Sequence, residues 1–273
     1  MPEDLSRLCI HSITTKPWSL ATALDKYAAA GVGGISVWQD AALATGLPEA
    51  RKLLAASPVE VVSYVRGGFF PHRSREAREK AVTANRKMLD EAAEIGAPLL
   101  VLVCGAEPGQ SLTESRKQIQ AGIERLIPHA METGVRLAIE PLHPMYADTR
   151  SAINTLAQAN ELAEAIDHDA VGIAVDVYHL WWDDGLESQI LRSGAQRNLY
   201  AFHICDWKVP TMDMLNDRGL MGEGCIDVPR IRSWVEAAGF TGYYEVEIFS
   251  HAHWAKDQDF FLQEILAAYR EKS

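Results

Sequence analysis

Eight short runs rich in Val, Ile and aromatic residues recur along the chain, and longer stretches with helical spacing separate them. The runs are LCIHSI (8–13), GGISVW (33–38), VEVVSYV (59–65), LLVLVC (99–104), RLAIEP (136–141), VGIAVDV (171–177), LYAFHIC (199–205) and YYEVEIF (243–249). Strict alternation of strand and helix implies a parallel sheet, because each crossover helix returns the chain to the same edge before the next strand starts. Eight strands are the number that closes into a barrel, and one such barrel needs roughly 250 residues. The chain has 273. The expected fold is α/β, a single (β/α)8 TIM-barrel domain over residues 1–273. An open doubly wound sheet would need a Gly-rich GxGxxG turn after an early strand, and the sequence has none.

The clearest helix is expected from about Ser111 to Thr133. Ser111 and Glu114 fit a capping box, Ile119, Ile123, Leu126, Ile127 and Ala130 fall on one face, and Gly134 supplies a stop. A second, Ser74 to Ile95, places Ala77, Ala81, Met88, Leu89 and Ala92 on a face. The last, Lys256 to Tyr269, does the same with Phe260, Phe261, Ile265, Leu266 and Tyr269. The segment 209–226, VPTMDMLNDRGLMGEGCI, breaks the compact pattern. It is a long loop after a strand, and loops of that length commonly carry function.

The charge narrows the partners. With 37 acidic against 26 basic residues the net charge is −11, which repels a phosphate backbone and disfavours nucleic acid. Four scattered cysteines without a CxxC pair read as free thiols of a reducing compartment. The N-terminus, MPEDLSRLCIHS, lacks the basic and apolar regions of a signal peptide, and no apolar run reaches membrane-spanning length. A cytoplasmic protein is expected, with no membrane partner and with assembly into a homo-oligomer possible.

Four of the strands end in a polar side chain of metal-binding type: Glu140, Asp176, His203 and Glu247. In a parallel barrel all strand C-termini meet at one rim, so these four converge although distant in sequence. Ala138, Ala174 and Ala201 lie two residues before three of them, on the same inward face, and leave room beneath an ion. Crowded carboxylates raise one another's pKa values, a cost that a divalent cation removes. Oxygen-rich ligation with one imidazole suits Mn²⁺ first, with Mg²⁺ and Co²⁺ next and Zn²⁺ as a further candidate. Glu245 points the same way as Glu247, one layer deeper; it could be a further ligand, but the expectation is that it pairs with a buried base, Arg136 being one candidate.

The chain resembles the xylose isomerase-like TIM barrels, the sugar phosphate isomerase/epimerase superfamily. The resemblance is strongest from residue 136 onward. It rests on LAIEP (137–141), DVYH (176–179), FHICD (202–206), GFTGYYEVE (239–247) and MGEGCIDVPRI (221–231). It implies a metal set of Glu140, Asp176, His203 and Glu247, with His179 contacting a substrate hydroxyl. It further implies that Glu140 and Glu247 flank the substrate carbon, one removing a proton and either returning it. Ketose 3-epimerases carry an Arg six residues beyond the ligand His and a Glu six beyond the first ligand; here these positions are Val209 and Tyr146.

The expected activity is a divalent-metal-dependent sugar isomerase or epimerase that works by proton transfer next to a carbonyl, through an enediolate. A lyase or dehydratase acting on a keto-sugar, keto-inositol or keto-glycoside is the alternative. A non-catalytic sugar-binding barrel, or a subunit that needs a partner, is the alternative of another class. His143, Lys208, Arg66 and Trp38 are further candidates for contact with a small sugar or keto-sugar. Arg66 could take a phosphate or carboxylate, but the sequence places no second basic residue beside it. Trp181, Trp182 and Trp207 also fall at or just beyond strand ends.

Overall fold

The computed structural model describes residues 4–273; Met1, Pro2 and Glu3 of the acidic N-terminus lie outside the described residues. Eight parallel strands close on themselves. They are β1 (Leu8–His11), β2 (Gly34–Trp38), β3 (Glu60–Gly68), β4 (Leu99–Val103), β5 (Arg136–Glu140), β6 (Val171–Asp176), β7 (Leu199–Ile204) and β8 (Tyr244–Val246). Each pairs with its sequence neighbours, and β1 pairs with β8 to shut the barrel. All eight expected strands are present, and the chain forms the expected TIM barrel. Among the described residues no helix is long and apolar enough to cross a membrane.

Two apolar layers hold the fold. Val65, Leu99, Val101, Ala138, Ala174 and Ala201 fill the barrel interior. The opposite faces of the strands pack against the helices through Leu100, Leu102, Leu137, Ile139, Ile173 and Phe202. The expected inward row of alanines is therefore the floor on which the rim residues stand. Cys9, Cys104 and Cys205 are buried, Cys225 is exposed, and all four are free.

The expected helix over 74–95 forms as Arg75–Glu94, with the Ser74 hydroxyl accepting from Ala77 N–H. The expected helix over 111–133 is two helices, Leu112–Glu124 and Ile127–Thr133. Pro128 explains the break: inside a continuous helix it would lack an N–H and clash with the carbonyl of Glu124. The chain tightens instead, with Leu126 N–H bonded to Ile123 O at 2.8 Å. Only half of the capping box is made: Ser111 Oγ accepts from Glu114 N–H, while the Glu114 carboxylate accepts from Gln118. Gly134 ends the second helix in the left-handed region, φ 72°. The last helix runs Gln258–Lys272, and Phe260, expected on its buried face, is exposed.

The long loop after β7 is more ordered than its composition suggests. Arg218–Gly219 pairs antiparallel with Asp206–Trp207. The buried Asp206 carboxylate accepts from Gly222, Gly224 and Ile226 N–H at 2.8–2.9 Å. At Gly224 a Cβ would lie 2.1 Å from Trp207 O, so only glycine allows this approach.

Candidate metal centre

Strand register sets the level of each rim side chain. Asp176 on β6 lies opposite His203 on β7, His203 lies opposite Glu245 on β8, and Val246 lies opposite Ile10 on β1. Glu247 continues β8 by one residue, with its N–H bonded to Ile204 O, and so comes level with His11. Glu140, Asp176, His203 and Glu247 are all buried, and each offers one donor atom within 4.8 Å of the others. The structure thus brings together the four residues read from the strand ends.

Three further residues complete the cluster. Arg218 reaches in from the ribbon: its Nη1 donates to Asp176 Oδ2 and Glu247 Oε2, both at 2.8 Å. His11 bridges two carboxylates, with Nδ1 3.1 Å from Glu247 Oε1 and Nε2 3.1 Å from Glu245 Oε2. Glu245 also accepts from Ser36 Oγ at 2.6 Å. Its expected partner Arg136 is elsewhere, exposed and stacked over Tyr200 at 4.3 Å. A strand advances about 3.3 Å per residue, so four residues put Arg136 at the far end of the barrel from Glu140.

His11 was legible as a strand-end residue of LCIHSI, but nothing local marks it as a partner of Glu245 and Glu247. Arg218 gave no signal at all, since its strand is only two residues long.

The electrostatics show what the cluster lacks. Four buried carboxylates, Glu140, Asp176, Glu245 and Glu247, face one permanent cation, Arg218. Burial alone would lower the His203 pKa, but the hydrogen bond to Glu140 and the charges of Glu245 and Glu247 push it up to about 10. His11 likewise rises against its burial, held up by Glu247 and Glu245. Burial lifts Asp176 to about 7, with Arg218 opposing and Glu247 and Glu140 adding to the rise. Burial also works to raise Glu247, but Arg218, His11 and His203 outweigh it and hold the carboxyl well below its usual range. The excess negative charge is met by protons on imidazole.

A divalent cation fits this donor set. His203 Nδ1 faces Glu140 Oε1 at 3.0 Å and Glu247 Oε2 at 4.0 Å. Its Nε2 is a buried atom without a hydrogen-bond partner, 3.8 Å from Glu245 Oε2. A carboxylate behind the second ring nitrogen is the arrangement that orients a metal-ligating histidine. Each carboxylate oxygen can accept two partners, so Arg218 does not use up Asp176 or Glu247.

Metal uptake should therefore displace a proton from His203. At pH 8 we expect about one proton released per ion bound, rising toward two below pH 7 where Asp176 is protonated as well, and affinity rising toward tenfold per pH unit between pH 8 and 10. Calorimetry of Mn²⁺ binding in buffers of different ionisation enthalpy measures that release; a proton count near zero from pH 6 to 8 would contradict it.

The remaining expected site residues sit on the same rim with different commitments. His179 is buried, with Nε2 3.2 Å from Arg218 Nη2. Burial and the Arg218 charge hold its pKa well below the usual value, so the ring is neutral. His143 is half-buried, accepts from Met145 N–H through Nδ1, and packs against Trp207 and Trp182 at 5.1 and 5.7 Å between centroids. Tyr178, Trp181 and Trp207 extend this aromatic wall. Trp38 Nε1 lies 3.2 Å from His11 Nδ1, and its ring meets Phe249 edge-on. Lys208 is committed to an ion pair with Asp217 at 3.1 Å. Arg66 lines a cavity that also holds Arg150 and Lys16, so the expectation that it has no basic neighbour is corrected. Arg150 arrives from the loop after β5, outside any strand pattern.

A closed (β/α)8 barrel with a buried carboxylate and imidazole cluster at its C-terminal rim defines a class of metal-site barrels. The chain belongs to the xylose isomerase-like TIM barrel family, whose model matches residues 24–265. Protein SMc04130 from Sinorhizobium meliloti 1021 is 45% identical in its crystal structure, with a TM-score of 0.95 and 98% of each chain covered. The inosose isomerase of Bacillus subtilis is 24% identical over 185 residues, 66% of this chain and 64% of that protein. The chain thus spans less than two thirds of that relative's length. The crystal structure of the IOLI protein with a bound zinc atom shares the fold, with a TM-score of 0.84, 19% identity and 96% of each chain covered.

Proposed function

We propose that the protein is a divalent-metal-dependent isomerase or epimerase that moves a proton next to the carbonyl of a keto-sugar or cyclic keto-polyol. The observation that carries this reading is the buried convergence of Glu140, Asp176, His203 and Glu247 within 4.8 Å. Its similarity to an inosose isomerase points toward a cyclic polyol ketone. Glu140, Asp176, His203 and Glu247 would hold the cation, which supplies Lewis acidity toward the substrate carbonyl oxygen.

The chain's own residues do the rest. Glu140 and Glu247 are the two carboxylates placed to take a proton from the carbon beside the carbonyl and to return it. Because His179 Nε2 accepts from Arg218, its proton sits on Nδ1, a buried atom without a protein partner. A substrate hydroxyl would satisfy it. Arg218 keeps Glu247 ionised and fixes its orientation. The wall of His143, Trp181 and Trp207, backed by the buried Tyr178, offers apolar faces to a sugar ring and excludes water.

The test is deuterium incorporation in D₂O by Mn²⁺-loaded protein, followed by NMR over a panel of ketoses and an inosose. Deuterium beside the carbonyl with every oxygen retained is the expected result. Loss of a hydroxyl would assign the protein to the lyase reading, and no exchange in any ketose would leave a binding barrel.

A further inference from the structure

A cavity of about 440 Å³ opens on the same rim, between the ends of β1 to β3 and the loop after β8. Lys16, Trp38, Asp40, Arg66, Arg150 and Phe249 are among the residues that line it. Its volume is that of a small-molecule site. Two of its walls touch the donor cluster: Trp38 reaches His11, and Arg218 lies over the Phe249 ring at 5.3 Å.

The charge of this cavity is opposite to that of the protein. Among the described residues no carboxylate comes within 4.0 Å of the Lys16, Arg66 or Arg150 head groups, although the net charge is −11. Elsewhere on the rim the cations are paired, Lys208 with Asp217 and Arg218 with Asp176 and Glu247. Arg66 Nη1 is buried without a hydrogen-bond partner, and its guanidinium rests on Phe69 at 4.8 Å. A buried guanidinium N–H left unsatisfied, beside a second cation, is costly. An anion between the two head groups removes both costs.

We infer that the substrate carries a carboxylate, received by Arg66 and Arg150 with Lys16 at the edge of the cavity. The inference rests on the proposed reading of the rim as a substrate site, and it narrows that reading to anionic keto-sugars or keto-polyols. A planar carboxylate matches the guanidinium fork. A monoanion also suits the surroundings better than a phosphate dianion: Asp40 lines the cavity, and the field of Glu140 and Glu247 reaches Arg66.

Three ketoses that differ only at C6 test it: D-fructose, D-fructuronate and D-fructose 6-phosphate. Their binding to Mn²⁺-loaded protein is measured by calorimetry. We expect fructuronate to bind at least about tenfold tighter than fructose, through charge-assisted hydrogen bonds. That preference, read as the ratio of the two Kd values within the variant, should fall to threefold or less in R66Q/R150Q. Equal binding of fructose and fructuronate, tighter binding of the 6-phosphate, a preference that survives in R66Q/R150Q, or no binding of any of the three would each overturn the inference. Deuterium exchange separates the two readings. Exchange in neutral ketoses without a carboxylate preference sinks this inference alone; a carboxylate preference without exchange in any ketose sinks only the catalytic reading.

Discussion

Glu247→Gln should lower turnover by about 10³-fold or more, the range in which a positioned general base or acid contributes. The substitution keeps the shape of the side chain but removes the charge that Arg218 and His11 hold in place. Because Glu247 is also a candidate ligand, the variant should retain less Mn²⁺ after dialysis than the wild type. Glu140→Gln should be equally slow. Its neutral amide still meets His203 Nδ1, where the carboxylate now makes a 3.0 Å contact. The measurement is the rate of deuterium incorporation beside the carbonyl, with metal content determined on the same samples. Near-normal exchange by both variants would remove the acid–base assignment while leaving the metal site untouched.

Arg218→Met should be the most destabilising single change at the rim, and the one most sensitive to metal. The methionine replaces the side-chain volume but not the charge, leaving Asp176 and Glu247 buried without their shared cation. Removing one partner of a buried ion pair costs about 3–5 kcal/mol, which for a chain of this size is a fall in Tm of roughly 10 °C. Saturating Mn²⁺ should restore most of the loss, because a divalent ion at the same carboxylates replaces the missing charge and binding to the native state adds stability. Thermal unfolding of wild type and variant, with and without Mn²⁺, checks both halves. A Tm within a degree of wild type in the metal-free protein would show that Arg218 is not what compensates the cluster.

The contrast between these two predictions follows how each residue could be recognised. Glu140 and Glu247 stand at the ends of apolar strands, where alternation and the barrel rule point to a shared rim. Arg218 sits in a two-residue strand within a loop rich in Gly and Asp, and its partner Asp176 is 42 positions away. The misassigned partner of Glu245 has the same origin. Strand spacing shows which face a side chain takes, and Arg136 does share a strand with Glu140. It cannot show that β1 closes against β8 so that His11 meets Glu245, 234 positions apart. The break at Pro128 is a different kind of miss, because the residue that causes it is visible in the sequence. The apolar face runs unbroken through the proline, but the local steric rule ends the first helix before it.

The order of strands and helices, the barrel they close, the face of each strand and the four strand-end donors were set by local pattern, because strand and helix periods and the terminal position of a polar residue are properties of neighbouring positions in the chain. Which charges compensate those donors was decided only when the barrel closed. Arg218 and His11 come from a loop and from a separate strand, and their partners are chosen by distance in space and by the low dielectric of a buried rim, which makes each pairing strong.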